Sequence, residues 1–280
     1  LNRTRAWERD AVVIVPTTGT GWINPHAAQA IELLSAGDVA IVGTQYSYLP
    51  SWISFLADRE KAEAAGRSLI EAVVGWRQSL PPDVHHPNLY LYGESLGTQA
   101  GEAAFSGIRD IRNTVDGVLW MGPPNSNRIW RSLVERRDPG TPATEPVYAD
   151  GLLVRFSEDP AEFRDDDTPW IPPHVLYVQH ATDPVVWWTP DLMFDRPAWL
   201  SEPPGKGRHP GMTYMPVFTF FQVTADLGNA IGGSQGYGHL YDHQILDGWA
   251  AVTGREEWDD DEFERFARLH DRAMESQERG

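Results

Sequence analysis

The feature that most constrains this chain is a series of short, uninterrupted apolar runs, each closed by proline or glycine and separated by stretches with helical spacing. The first, "AVVIVP" (residues 11–16), is β-branched and does not alternate, which marks a strand covered on both faces. "AAQAIELLSAG" (27–37) places apolar residues three and four apart and ends on glycine, and "VAIVGTQY" (39–46) returns to the strand pattern. A long amphipathic helix is expected over 56–80, broken by "PPDVHHP" before the strand "NLYLYG" (88–93). "QAGEAAFSGI" (99–108) reads as helix, "GVLWMGPP" (117–124) as strand, and "HVLYVQHATDP" (174–184) as the last clear strand. This alternation predicts an α/β fold with a doubly wound, mostly parallel sheet in a single domain spanning 1–280.

Two stretches do not fit the alternation: about 125–173, rich in Pro, Asp and Arg, and about 185–215, rich in Trp and Pro. Both follow strand ends, where such sheets carry their sites, so they are expected to be insertions covering a pocket. Residues 255–280 read as a charged C-terminal helix.

Composition narrows the function. With 40 acidic residues against 23 Lys plus Arg, a net charge of −17 repels phosphate backbones, so no nucleic-acid partner is expected. The absence of cysteine removes disulfides and thiolate chemistry. The acidic runs "RDDD" (164–167) and "WDDDE" (258–262) lack the alternating ligand spacing of a calcium loop, and no metal or organic cofactor is expected. No apolar run reaches 18 residues and "LNRTRAWERD" has no signal-peptide core, so this segment is expected to be soluble. Any attachment to a membrane or cell envelope would rest on segments of a longer parent chain.

Gly93-Glu94-Ser95-Leu96-Gly97, between a strand and a small-residue helix, fits the G-x-S-x-G elbow that presents a nucleophilic serine on a sharp turn. A serine hydroxyl needs a base to take its proton and an acid to orient that base, in the chain order Ser, Asp or Glu, His. Asp183, at the carboxyl end of the last strand, is the expected acid. His239, in the glycine-rich "GGSQGYGHLYDHQI", is the expected base, with His243 as alternative on a shared helix face. His180 is expected in the strand end. The oxyanion hole is expected from the amides of Leu96 and Thr18, with Thr17 as the alternate for the latter. Trp187, Trp188 and Tyr237 are the expected substrate-binding residues.

With "PTTGTGW", "QYSYLPSW", "GESLG", "GPPN" and "QHATDPVVWW" in place, the chain resembles a family of actinobacterial and proteobacterial predicted membrane proteins whose C-terminal half is an α/β-hydrolase domain. The likeness runs from about Trp7 to the helix after His239. It implies the α/β-hydrolase fold, a serine hydrolase, and Ser95, Asp183 and His239 as the triad. That family's N-terminal transmembrane helices have no counterpart here. Aromatic and other large apolar residues near the acid and base, among them Phe194, Trp199, Met212, Tyr214 and Phe218, suit an apolar group, so a carboxylic ester with an acyl chain is the expected substrate. Two other functions suit the same residues: an acyltransferase passing the acyl group to a sugar or lipid alcohol, and an inactive lipid-binding or interaction module.

Overall fold

Six parallel strands form one sheet of order β2-β1-β3-β4-β6-β5 in the computed structural model, which describes residues 1–47, 59–254 and 260–278. The strands are β1 (Ala11–Pro16), β2 (Val39–Thr44), β3 (Asn88–Glu94), β4 (Gly117–Met121), β5 (Val154–Ser157) and β6 (His174–Val178). β1, β4 and β6 are buried at every position, as their unbroken apolar runs predict.

Side chains leave the sheet alternately. Val12, Ile14, Leu89, Leu91, Val118 and Trp120 join one core, while Val13, Val15, Tyr92, Leu119 and Met121 join the other. Helices α2 (Arg59–Gln78), α3 (Leu96–Glu102) and α5 (Arg128–Glu135) cover the first face, and α1 (Pro25–Leu34) and α8 (Ile245–Thr253) the second. The remaining helices are α4 (Ile108–Thr114), α6 (Pro184–Trp187), α7 (Phe218–Leu227) and α9 (Asp260–Glu278). Among the described residues, no helix is long and apolar enough to cross a membrane.

The structure departs from the sequence-based expectation in three places. The stretch 125–173 is not all outside the alternation: it contains α5 and then β5, the strand at the sheet's edge beside β6. Within 185–215, Trp187, Leu192, Trp199 and Leu200 are buried in the first core, with the Trp187 ring against Trp130 and Trp199. The long helix expected over 56–80 is observed from Arg59 to Gln78, and residues 56–58, like most of "QYSYLPSW", lie outside the described residues. For the charged tail, α9 carries Asp260 to Glu278, and 255–259 and 279–280 lie outside them too.

One buried carboxylate joins several elements beneath the site. Glu102, at the end of α3, accepts the amides of Ile129 (2.7 Å) and Trp130 (3.2 Å) in the first turn of α5, the Tyr177 hydroxyl of β6 (2.9 Å) and Asn127 Nδ2 (3.1 Å). Burial pushes its carboxyl up to about 7, against these donors, which pull it down. The amides it binds are those a helix start leaves unsatisfied, so the side chain caps α5 from outside that helix.

Candidate active site

Between β3 and α3 the chain turns so tightly that Ser95 takes φ 54° and ψ −127°, a left-handed backbone costly for any residue with a Cβ. Its flanking glycines are required by close approach. A Cβ on Gly93 would lie 2.6 Å from the Trp120 ring, and one on Gly97 would collide with the Pro16 carbonyl. The Ser95 amide is tied to Met121 O at the end of β4 (2.9 Å), and its carbonyl accepts the Thr98 hydroxyl (2.7 Å). Sequence and packing together hold the serine, half-buried, above the end of the sheet.

Asp183 follows β6 and is fully buried. One oxygen accepts the Val185 amide (2.8 Å), which caps α6; the other accepts both His239 Nδ1 and the Tyr241 hydroxyl, each at 2.6 Å. A carboxylate is acceptor-only, so Nδ1 carries the proton and the lone pair of the neutral ring sits on Nε2. Nε2 is buried and has no hydrogen-bond partner among the described residues. Burial pushes the His239 imidazole down, but the Asp183 carboxylate, with Glu94 adding to it, outweighs burial and raises it above the ordinary value.

The loop bearing His239 is pinned on both sides. The Gly238 amide donates to Thr182 Oγ1 (2.9 Å) and the His239 amide to Ala230 O (2.8 Å). The imidazole covers Gly122, where a Cβ would fall 2.5 Å from its Cε1. Gly122 directly follows Met121, to which Ser95 is bonded, so serine and imidazole share the end of β4. No hydrogen bond joins Ser95 to Nε2. His243 sits exposed in a 3-10 turn at Asp242–Gln244 and is not among the donors to Asp183, while His239 lies in the preceding turn, so the two do not share a helix face. His180 lies just beyond β6, stacked on Tyr241 at 4.2 Å.

Around this centre, Leu96 opens α3 and is buried, and the Pro16-Thr17 backbone crosses the first turn of α3 at Gly97. The Thr17 hydroxyl is committed to Thr44 O (2.6 Å). The three aromatic residues expected at the substrate separate. Trp187 is core, its indole N–H on His180 O (2.9 Å), and this corrects its expected role. Trp188 is half-buried, packs against the cluster of Leu96, Ala100 and Ala62, and donates to Thr224 on α7 (2.8 Å). Tyr237 is 45% exposed and packs over Gly207.

Sequence reasoning missed a polar set behind the serine. Glu94 accepts Asn24 Nδ2 (3.0 Å) and the Tyr92 hydroxyl (3.1 Å); Asn24 also donates to Asp242 (2.9 Å) and caps α1 through the His26 amide (2.9 Å). Burial is the main cause raising the Glu94 carboxyl. Tyr241, the second donor to Asp183, was also missed. The only local signal for it was its place two residues after His239.

The parallel sheet, the elbow and the acid-bearing loop after β6 are those of an α/β hydrolase, and a model of the alpha/beta-hydrolase family matches residues 1–266, so the chain belongs to that family. Among solved structures it is similar to lysin B from Mycobacteriophage D29, at 14% identity and a TM-score of 0.42, over 88% of this chain and 98% of that one. A search of curated proteins finds no match.

Proposed function

We propose that this hydrolase is a serine esterase that cleaves carboxylic esters through an acyl-enzyme on Ser95. The observation that carries the reading is the buried Asp183–His239 hydrogen bond of 2.6 Å, with Nε2 unpartnered at the strand end that also anchors Ser95. Ser95 Oγ attacks the ester carbonyl while its proton passes to His239 Nε2, and the Asp183 carboxylate holds and stabilises the imidazolium. The oxyanion is received by the amides of Leu96 and Thr18. Collapse breaks the ester C–O bond, and the alcohol leaves with the proton from His239. Water, deprotonated by His239, then attacks the acyl-serine and frees the acid. The absence of a hydrogen bond between Ser95 and Nε2 suits a site that tightens only around substrate.

An apolar acyl group is supported by Trp188 against Leu96, and by α7 beyond it, where Phe218 and Phe221 are 71% and 60% exposed. The likeness noted in its sequence supports envelope lipid esters as the substrates. Hydrolysis of a nitrophenyl ester series tests the assignment. Ser95→Ala and His239→Ala are each expected to lower kcat/KM by about a thousandfold or more, and His243→Ala by less than about threefold. Turnover that survives His239→Ala but is lost in His243→Ala would make the base assignment wrong.

A further inference from the structure

A cavity of about 280 Å³ is bordered by the carboxyl groups of Glu158 and Asp159, by Lys206, His180 and His243, and by Gln235, Tyr237 and Gln244. Glu158 and Gln244 are 7% and 9% exposed. One Glu158 oxygen accepts the Ala181 amide (2.6 Å), and the other, near the Lys206 backbone amide, makes no well-formed hydrogen bond among the described residues. The Gln244 and Gln235 carbonyl oxygens are buried and also without a partner among the described residues.

Chemistry fixes which ends of these amides are free. His180 Nδ1 lies 2.9 Å from Gly238 O, which only accepts, so Nδ1 carries the proton. Burial holds the imidazole below its ordinary value, hence neutral, and Nε2 must accept from Gln244 Nε2 at 3.0 Å. The Gln244 oxygen is therefore the end left over. Gln235 Nε2 donates to the Asp242 carboxylate (3.2 Å), which leaves its oxygen free by the same reasoning. Three buried acceptors thus want donors, and folded proteins rarely leave such groups unmet.

The rest of the lining decides what kind of donor. The Lys206 ammonium shares this lining with the Asp159 carboxylate, and burial raises the Glu158 carboxyl to about 7, so the charges nearly balance and a neutral guest fits them; Lys206 offers hydrogen bonds of its own, and the Tyr237 ring gives a partly exposed flat face. Among the described residues, no group of three or more His, Cys, Asp or Glu is arranged to hold a metal ion. Acceptors, a donor and an aromatic face around one space match vicinal hydroxyls, each of which both donates and accepts. The volume lies just below the roughly 300 to 1,000 Å³ of drug-sized sites, room for one ring and not for a long chain. We propose that this cavity binds a neutral polyhydroxylated ring, a sugar or a cyclic polyol. It backs onto the catalytic pair: His180 stacks on Tyr241, which donates to Asp183, and Gln235 reaches Glu94 through Asp242 and Asn24. Polyol binding here does not require Ser95 to be a nucleophile.

The test uses the full chain carrying Ser95→Ala and ligand-observed saturation-transfer NMR. The probes are methyl glucoside, methyl galactoside, methyl mannoside and myo-inositol, with ethanolamine as the cationic comparison. At least one polyol is expected to bind saturably in the millimolar range. Tyr237→Ala or Lys206→Ala, both changes at exposed positions, is expected to weaken that binding by about fivefold or more. No saturable polyol binding, binding unchanged in both variants, or binding of ethanolamine alone would each overturn the proposal. Reactivity of Ser95 in the unaltered chain is a separate readout, so failure of the esterase reading and failure of this one are told apart.

Discussion

At the scale of single residues, the imidazole of His239 is tuned by charges the sequence places far away. Asp183 lies 56 residues before it, and Glu94, inside the serine motif, adds a second negative charge. Because its value is raised, catalysis needing the neutral ring fails as pH falls through that raised value. Glu94→Gln removes the second charge, makes the imidazolium easier to deprotonate, and keeps an oxygen for Asn24. The acid limb of the kcat/KM profile is therefore expected to move to lower pH. An unmoved limb, or one moved to higher pH, would show that Glu94 does not act on the base. Ser95, Asp183 and His239, the proposed triad, could be singled out because each sits at a local signal, an elbow, a loop after a strand and a glycine-rich turn. Asn24, Glu94 and Tyr241 were not: their roles arise from contacts 70, 218 and 58 residues apart in sequence, and no local pattern encodes those.

At the scale of elements, what could be read followed from burial. Strands covered on both faces need apolar residues throughout, so β1, β4 and β6 announced themselves. β5 did not. It has four residues and includes Arg155, whose guanidinium is held by Asp166 and Thr168 and stacked over Phe163 and Trp170, so a buried strand read as polar loop. Trp187 misled in the opposite sense, because aromatic content near a site does not tell which rings face the cavity and which face the core. Glu102 is the clearest case of one residue coupling elements. Glu102→Ala leaves two backbone amides at the start of α5 and the Tyr177 hydroxyl unpaired, and is expected to lower stability by about 3 kcal/mol. Urea denaturation monitored by tryptophan fluorescence measures this, and a loss below about 1 kcal/mol would mean that the junction is held by other contacts.

At the scale of the whole molecule, a strongly acidic surface coexists with an apolar patch at one flank of the site. Phe194, Met215, Phe218 and Phe221 are all more than half exposed, on and around the helix that Trp188 contacts. Exposed rings in such numbers mark a surface with a use. If they receive the acyl chain, replacing both Phe218 and Phe221 by serine should penalise long substrates most. The ratio of kcat/KM for a decanoate over a butyrate ester is expected to fall by about tenfold, the equivalent of roughly one aromatic contact. A ratio unchanged by the double substitution would move the acyl path elsewhere.

The whole account turns on whether Ser95 is an activated nucleophile. Fluorophosphonate labelling of the folded chain, read by intact mass, measures this most directly. A single adduct is expected, absent from Ser95→Ala and slowed by about a thousandfold in His239→Ala, since phosphonylation uses the same proton transfer. No adduct on the folded protein, or an adduct that persists in Ser95→Ala, would contradict the esterase mechanism.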